Sequence, residues 1–112
     1  PTACVSALVL SGLPPDKFLF LGFPPRKEGP KKRFFEKYRP IGVTLIFYES
    51  PHRLLKTLKA LHELFADWCV VVCREMTKVH EEIIRGDISS IVSQLGDRQV
   101  LGEITVVMAP PP

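Results

Sequence analysis

Long apolar runs are missing from this sequence: no stretch approaches the roughly 18 residues of a helical membrane span, so none is expected. Cysteine is scarce, and the three present, Cys4, Cys69 and Cys73, cannot all pair internally. Cys69 and Cys73 fall in one strand-like run, about 13 Å apart at about 3.3 Å per residue, which is beyond disulfide reach. All three are expected as thiols, as in a cytoplasm. The histidines are scattered at positions 52, 62 and 80, with no second Cys/His pair at ligand spacing, so no metal is expected. No G-x-G-x-x-G, Walker loop or G-x-S-x-G is present. No basic segment leads into an apolar stretch and a cleavage site, so secretion has no support. The first residue is proline and not methionine, and the chain is expected to be a piece of a longer one.

What is there suits one domain. The 112 residues, 46% of them hydrophobic, are enough for a real core but fewer than most two-lobed enzymes need. The chain is organised around residues 43–65, V-T-L-I-F-Y-E-S-P-H-R followed by L-L-K-T-L-K-A-L-H-E-L-F. The first six residues are an apolar, β-branched and aromatic run of strand length. Ser50 then reads as a helix N-cap and Pro51 as the first helical residue. Leu54, Leu58, Leu61 and Phe65 recur at helical spacing, with Leu55 widening the stripe, while Lys56, Lys59, His62 and Glu63 face away. Open α/β sheets place ligands at such strand-to-helix elbows.

Residues 1–12 read as a buried helix with a Thr2 cap and a Gly12 stop, and 17–22 as a strand. Proline and glycine at 24, 25, 29 and 30 then break the chain, and the second half of the segment to Arg39 carries a helical stripe of Phe34, Phe35 and Tyr38. Arg26, Lys27, Lys31, Lys32, Arg33, Lys37 and Arg39 face only Glu28 and Glu36 there, in a chain of net charge +3. The basicity is therefore local. On composition alone it fits first a solvated helix on a mobile loop, and second a phosphate-contacting arm, which gains from counterion release on nucleic acid.

Trp68 to Cys73 is a continuous apolar run suited to an inner strand. A second polar concentration follows: Arg74, Glu75, Met76, Thr77, Lys78, Val79, His80, Glu81 and Glu82. Asp87 caps a helix over 88–95, and Gly96 stops it. The prediction is an α/β fold bordering on α+β. Five strands near 17–22, 43–48, 69–75, 81–85 and 103–108 form a mixed sheet with four helices, strands three and four being a hairpin. Glu49, Glu75, Glu81, Glu82 and Glu103 are candidate general bases, His52 and His80 candidate proton shuttles, and Arg53, Arg74 and Lys78 candidate anion contacts. Ion pairing and capping at the sheet rim would explain several of them equally well.

The strings S-G-L-P-P-D-K-F, G-F-P-P-R-K-x-x-x-K-K-R, F-Y-E-S-P-H-R, R-E-M-T-K-V-H-E-E and G-E-I-T-V-V occur in this order across nearly the whole chain. Together they resemble the carboxyl-terminal half of the tetrapyrrole (corrin/porphyrin) methylase family. The likeness is to the bacterial branch that 2′-O-methylates a cytidine ribose in small-subunit ribosomal RNA. Met76, where leucine is the branch's residue, and the terminal triple proline depart from it.

The resemblance implies two α/β lobes with S-adenosylmethionine in the cleft between them, residues 1–112 being the carboxyl-terminal lobe. The amino-terminal lobe, which carries the Gly-rich loop, would be absent and the isolated chain inactive. It further implies cofactor contacts, mainly through backbone, at Tyr48, Glu49 and Ser50, at Met76 and Thr77, and near Pro1, Thr2 and Ala3. Substrate positioning or proton removal would fall to Arg74, Glu75, Lys78, His80 and Glu81, and RNA contact to Arg26, Lys27, Lys31, Lys32 and Arg33. A cytoplasmic homodimeric parent is implied, with no membrane and no metal. The competing readings are a lobe of a small-molecule tetrapyrrole methylase and a non-catalytic RNA-binding module.

Overall fold

The computed structural model describes residues 2–77 and 80–112, and the side chains of these except residues 2, 75–77 and 80. Helix α1 (Thr2–Ser11) is followed by β1 (Phe18–Phe20), α2 (Glu28–Tyr38), a 3-10 turn at Arg39–Ile41, and β2 (Thr44–Glu49). Then come α3 (Leu54–Phe65), β3 (Cys69–Thr77), β4 (His80–Gly86), α4 (Ile88–Leu95) and β5 (Glu103–Ala109). The strands form one mixed sheet in the order β1-β2-β5-β3-β4. β1 runs parallel to β2, and every other neighbouring pair is antiparallel.

The last strand therefore enters the middle of the sheet, between β2 and β3. Its Thr105 stands opposite Tyr48 on one side and Cys73 on the other, and its Ile104 opposite Glu49 and Arg74. Alternation of side chains along the strands divides the core into two layers. Leu45, Phe47, Val70, Val72, Ile104, Val106 and Met108 face α3 and α4. Ile46 and Val107, with half-buried Tyr48 and Cys73, face α1.

Phe35 of α2 joins the larger layer with no exposed surface, its ring edge-to-face with Phe47 at 5.0 Å and Phe65 at 6.0 Å. The guanidinium of Arg39 donates to the Leu64 carbonyl near the end of α3, tying the two helices together. Across the sheet, Arg85 of β4 donates to the carbonyls of Leu10 and Ser11 and closes the C-terminus of α1.

Four local expectations are corrected. α2 begins at Glu28, before the expected stripe, because Pro30 lies in the first turn, where its missing N–H has no intrahelical partner to lose. α3 begins at Leu54 and not at Pro51; residues 51–53 form a turn in which the N–H groups of Arg53 and Leu54 both donate to the Ser50 carbonyl. β1 is an edge strand of three residues, although Leu21 and Gly22 still bond to β2 before Gly22 turns the chain at φ +69. α1 is buried on one face only: Cys4, Ala7, Leu8 and Ser11 pack inward, while Val5 and Val9 are exposed. The Asp87 cap and Gly96 stop are as read, Asp87 accepting from the Ser90 N–H at 2.8 Å.

Truncating Phe35 to alanine is expected to cost about 3–5 kcal/mol in urea unfolding, because its cavity opens between α2, α3 and β2. Phe23→Ala, at an exposed position, should stay within about 0.5 kcal/mol in the same measurement.

Candidate functional site

At the elbow after β2, the Glu49 side chain is turned into the protein and only 4% of the residue is exposed. A carboxylate taken out of water needs hydrogen bonds to its oxygens. One oxygen accepts from the Ser50 N–H at 2.8 Å and lies 3.4 Å from the Arg53 guanidinium. The other accepts from the Thr57 hydroxyl at 2.6 Å. Thr57 in turn accepts from the Lys31 ammonium at 2.9 Å. Burial pushes the Lys31 pKa down, and the Glu49 charge works against that shift. The chain Lys31–Thr57–Glu49–Ser50 thus links α2, α3 and the end of β2. Glu49 is committed to holding the elbow.

The Ser50 hydroxyl does not cap α3. It is buried, with no hydrogen-bond partner among the described residues. Ser50 lines a cavity of about 420 Å³ together with Tyr48, Glu49, Phe23 and residues Gly102 to Thr105. Tyr48 stands between the rings of Phe20 and Phe23, edge-on at 5.0 and 5.7 Å. Burial raises its phenol pKa, the nearby Cys4 and Glu103 adding to the shift, so the hydroxyl keeps its proton at neutral pH. The wall supplied by β5 and by Phe23 had no place in the sequence-derived cofactor set. Its one signal was the string G-E-I-T-V-V.

A second cavity, about 340 Å³, opens between α1 and the β3–β5 part of the sheet, lined by Ser6, Cys73, Arg74, Glu81 and Glu103 among others. Burial pushes the Cys73 thiol up to about 11, so it stays protonated at neutral pH and is no nucleophile. The Arg74 guanidinium lies 2.8 Å from Glu82, directly across the β3–β4 pair, and donates to the Leu101 carbonyl at 3.2 Å. Arg98 grips both oxygens of the same Glu82 at 2.9 and 2.7 Å. The Arg98 hydrogen bonds, with those from Arg74, hold the Glu82 carboxyl below its ordinary range.

Of the expected substrate residues, Arg74 and Glu81 therefore meet at one cavity. Lys78 lies outside the described residues, and Glu75 and His80 are described in backbone only, Glu75 standing opposite Glu81 and Glu103. Of the expected cofactor residues, Tyr48, Glu49 and Ser50 share the other cavity with Ala3. Pro1 lies outside the described residues, and Thr2, Met76 and Thr77 are described in backbone only. His52 lines a separate cavity of about 220 Å³ beside Arg98.

The basic arm is less free than its composition suggests. Lys31, expected on the phosphate-facing side, is 1% exposed and bound to Thr57, because helical periodicity places it four residues before Phe35 on the buried face. Lys32 pairs with Glu63 at 3.3 Å, and Lys37 lies 4.9 Å from the Tyr38 ring centroid. Arg26, Lys27 and Arg33 are exposed.

Comparison with known proteins bears on this arrangement. Residues 1–92 match the family model described as Tetrapyrrole (Corrin/Porphyrin) Methylases. Ribosomal RNA small subunit methyltransferase I of Erythrobacter litoralis is 42% identical over 114 residues, covering 100% of the chain and 41% of that protein. The proteins of the same name from Thermotoga maritima and Bacillus subtilis are 41% and 42% identical, covering 97% and 95% of the chain and 49% and 36% of their own lengths. The chain thus spans less than half the length of these relatives. Among solved structures, that of the methyltransferase CobJ superposes with a TM-score of 0.66 at 14% identity, over 95% of this chain and 46% of its own, a likeness of fold.

Thr57→Val keeps the shape but strands both the Lys31 ammonium and a Glu49 oxygen, and is expected to lower unfolding free energy by about 1–3 kcal/mol; Thr57→Ser should recover most of it. The Glu82 clamp has a sign that pH can read. Its carboxyl is lowered on folding, so its stabilisation is complete above the ordinary value of 4.5 and is lost as pH falls through the lowered folded value. In acid titrations followed by circular dichroism, Glu82→Gln should remove that part of the acid sensitivity.

Proposed function

The chain belongs to the tetrapyrrole (corrin/porphyrin) methylase family, and from that premise we propose that it is the carboxyl-terminal lobe of an S-adenosylmethionine-dependent enzyme that 2′-O-methylates a cytidine ribose in small-subunit ribosomal RNA. The observation that carries the proposal is the cavity at Tyr48–Glu49–Ser50, the elbow to which the F-Y-E-S-P-H-R string assigns cofactor contact. The residues present fit the cofactor. A volume of about 420 Å³ is within the range of small-molecule sites, the lining is largely apolar and aromatic, and the buried Ser50 hydroxyl offers an unused hydrogen bond. Tyr48, Ser50 and the backbone of Glu49 would hold the donor, which supplies the activated methyl group. Glu49 acts from behind, by fixing the Ser50 amide.

In this reading the amino-terminal lobe of the longer parent closes the cavity, and the isolated lobe transfers no methyl groups. Arg74 and Glu81 serve the acceptor side, and Glu75, Lys78 and His80 remain candidates there from the resemblance. Met76 and Thr77, with Pro1 and Thr2, remain candidates on the cofactor side. The RNA phosphates fall to Arg26, Lys27 and Arg33, with Lys32 joining where its bond to Glu63 yields; Lys31 positions the helix from beneath. The parent is a cytoplasmic homodimer. The names of the relatives favour this substrate over a small tetrapyrrole, and the exposed cations suit a polyanion.

The decisive assay is methyl transfer from S-adenosylmethionine by the full-length parent to small ribosomal subunits, with the product nucleoside identified by mass spectrometry. 2′-O-Methylcytidine is expected; transfer to a tetrapyrrole instead would refute the proposal. Replacing Arg26, Lys27 and Arg33 by alanine should weaken RNA binding and flatten the log K against log[salt] slope by about 2–3, near 0.7–0.9 for each phosphate contact removed. S-Adenosylhomocysteine binding, measured by calorimetry, should not change in that variant.

A further inference from the structure

The two cavities are neighbours with a common wall. Ala3 of α1 and Glu103 and Thr105 of β5 line both. Glu103 and Thr105 are two apart on one strand, so their side chains leave the same face of the sheet, about 7 Å apart at the strand rise. Thr105 is only 6% exposed, and its hydroxyl makes no hydrogen bond among the described residues. Its oxygen, unlike that of Ser50, keeps some exposed surface, and the residue lines both cavities.

Glu103 is the titratable side chain common to the two linings. The other carboxylates nearby are spent or one-sided. Glu49 accepts from Ser50 and Thr57, Glu82 is gripped by Arg74 and Arg98, and Glu81 reaches only the cavity under α1. Glu103 is exposed and makes no ion pair or hydrogen bond among the described residues. Among the described residues, the cavity under α1 therefore carries Glu81, Glu82 and Glu103 against Arg74, and Arg74 is already paired. Such a lining repels phosphate and favours neutral, hydroxyl-bearing groups.

Resting on the proposed function, we propose that the cavity under α1 receives the ribose of the target nucleotide. At its junction with the elbow cavity, the Glu103 carboxylate binds the reacting 2′-hydroxyl, and the Thr105 hydroxyl binds a neighbouring ribose oxygen. Glu103 then takes the 2′-hydroxyl proton as the ribose oxygen forms its bond to the methyl carbon. The carbon–sulfur bond of the donor breaks, its electron pair stays on sulfur, and the sulfonium becomes a neutral thioether.

The test uses the full-length parent and an RNA fragment carrying the target cytidine, either as ribose or as 2′-deoxyribose. Wild type is expected to bind the ribose form about tenfold more tightly, the difference that a charge-assisted hydrogen bond makes. Glu103→Ala should erase that preference. Glu103→Gln, which can still accept from the hydroxyl, should keep much of the preference yet lose methyl transfer by about 100-fold or more. Thr105→Val should raise KM for RNA more than it lowers kcat. Because Glu103 and Thr105 also border the elbow cavity, S-adenosylhomocysteine affinity is measured for each variant by calorimetry, and the ribose preference is read with that cavity saturated by S-adenosylhomocysteine. A Glu103→Ala protein that still prefers the ribose form, or a Glu103→Gln protein that transfers methyl groups at the wild-type rate, overturns this inference and leaves the proposed function standing. A wild-type parent that methylates no small-subunit RNA overturns both.

Discussion

A carboxylate buried at the end of a strand constrains everything around it. Glu49 has lost its water, and the elbow is arranged so that Ser50, Thr57 and Arg53 replace that water. Thr57 is the hinge of the arrangement because a hydroxyl can accept and donate together, and so it passes the charge of Glu49 on to Lys31. Each member belongs to a different element or turn. Moving α2, α3 or the elbow separately would leave an ionised group unpaired in the interior, which is far more costly than losing a surface contact. The shape of the elbow cavity is therefore tied to the seat of the basic helix.

The path of the chain supplies the other half of the site. β5, the last strand, enters between β2 and β3, so the end of the sequence is brought against its middle. This insertion places Glu103 and Thr105 beside Tyr48 and Cys73, with α1 laid across them and fastened at its C-terminus by Arg85. A sheet with β5 at an edge would keep the same elbow and the same hairpin, but neither cavity would have its present wall. The clamp of Glu82 by Arg74 and Arg98 secures the connector that leads into this strand.

The basic segment shows how composition overstates what a surface can offer. A helix docked by Phe35 must turn one side inward, and Lys31 shares that side. Its ammonium is stabilised by Thr57 and the field of Glu49 and is unavailable to phosphate. Lys32 and Arg39 are engaged with α3 or its flank. The exposed cations at 26, 27 and 33 form a smaller and more localised positive surface than a count of lysines and arginines implies.

Periodicity alone determined the number and kind of elements, the mixed sheet and the hairpin, because helical and strand spacing are local and the residues at 54, 58, 61 and 65 or 69–73 satisfy only one of them. The Asp87 cap and the Gly96 stop were legible for the same reason, being satisfied within four residues. The motif strings carried the family and drew attention to Tyr48, Glu49, Ser50, Arg74 and Glu81. Ser50 was misread as a cap because nothing local shows that residues 51–53 would form a turn in which the Arg53 and Leu54 N–H groups go to the Ser50 carbonyl and not to its hydroxyl. Strand order, the inward turn of Lys31, the partnership of Arg74 with Glu82, and the meeting of both cavities at Glu103 and Thr105 were decided only in the tertiary structure. They depend on contacts between residues tens of positions apart, whose energies arise from burial, and burial has no counterpart in a linear sequence.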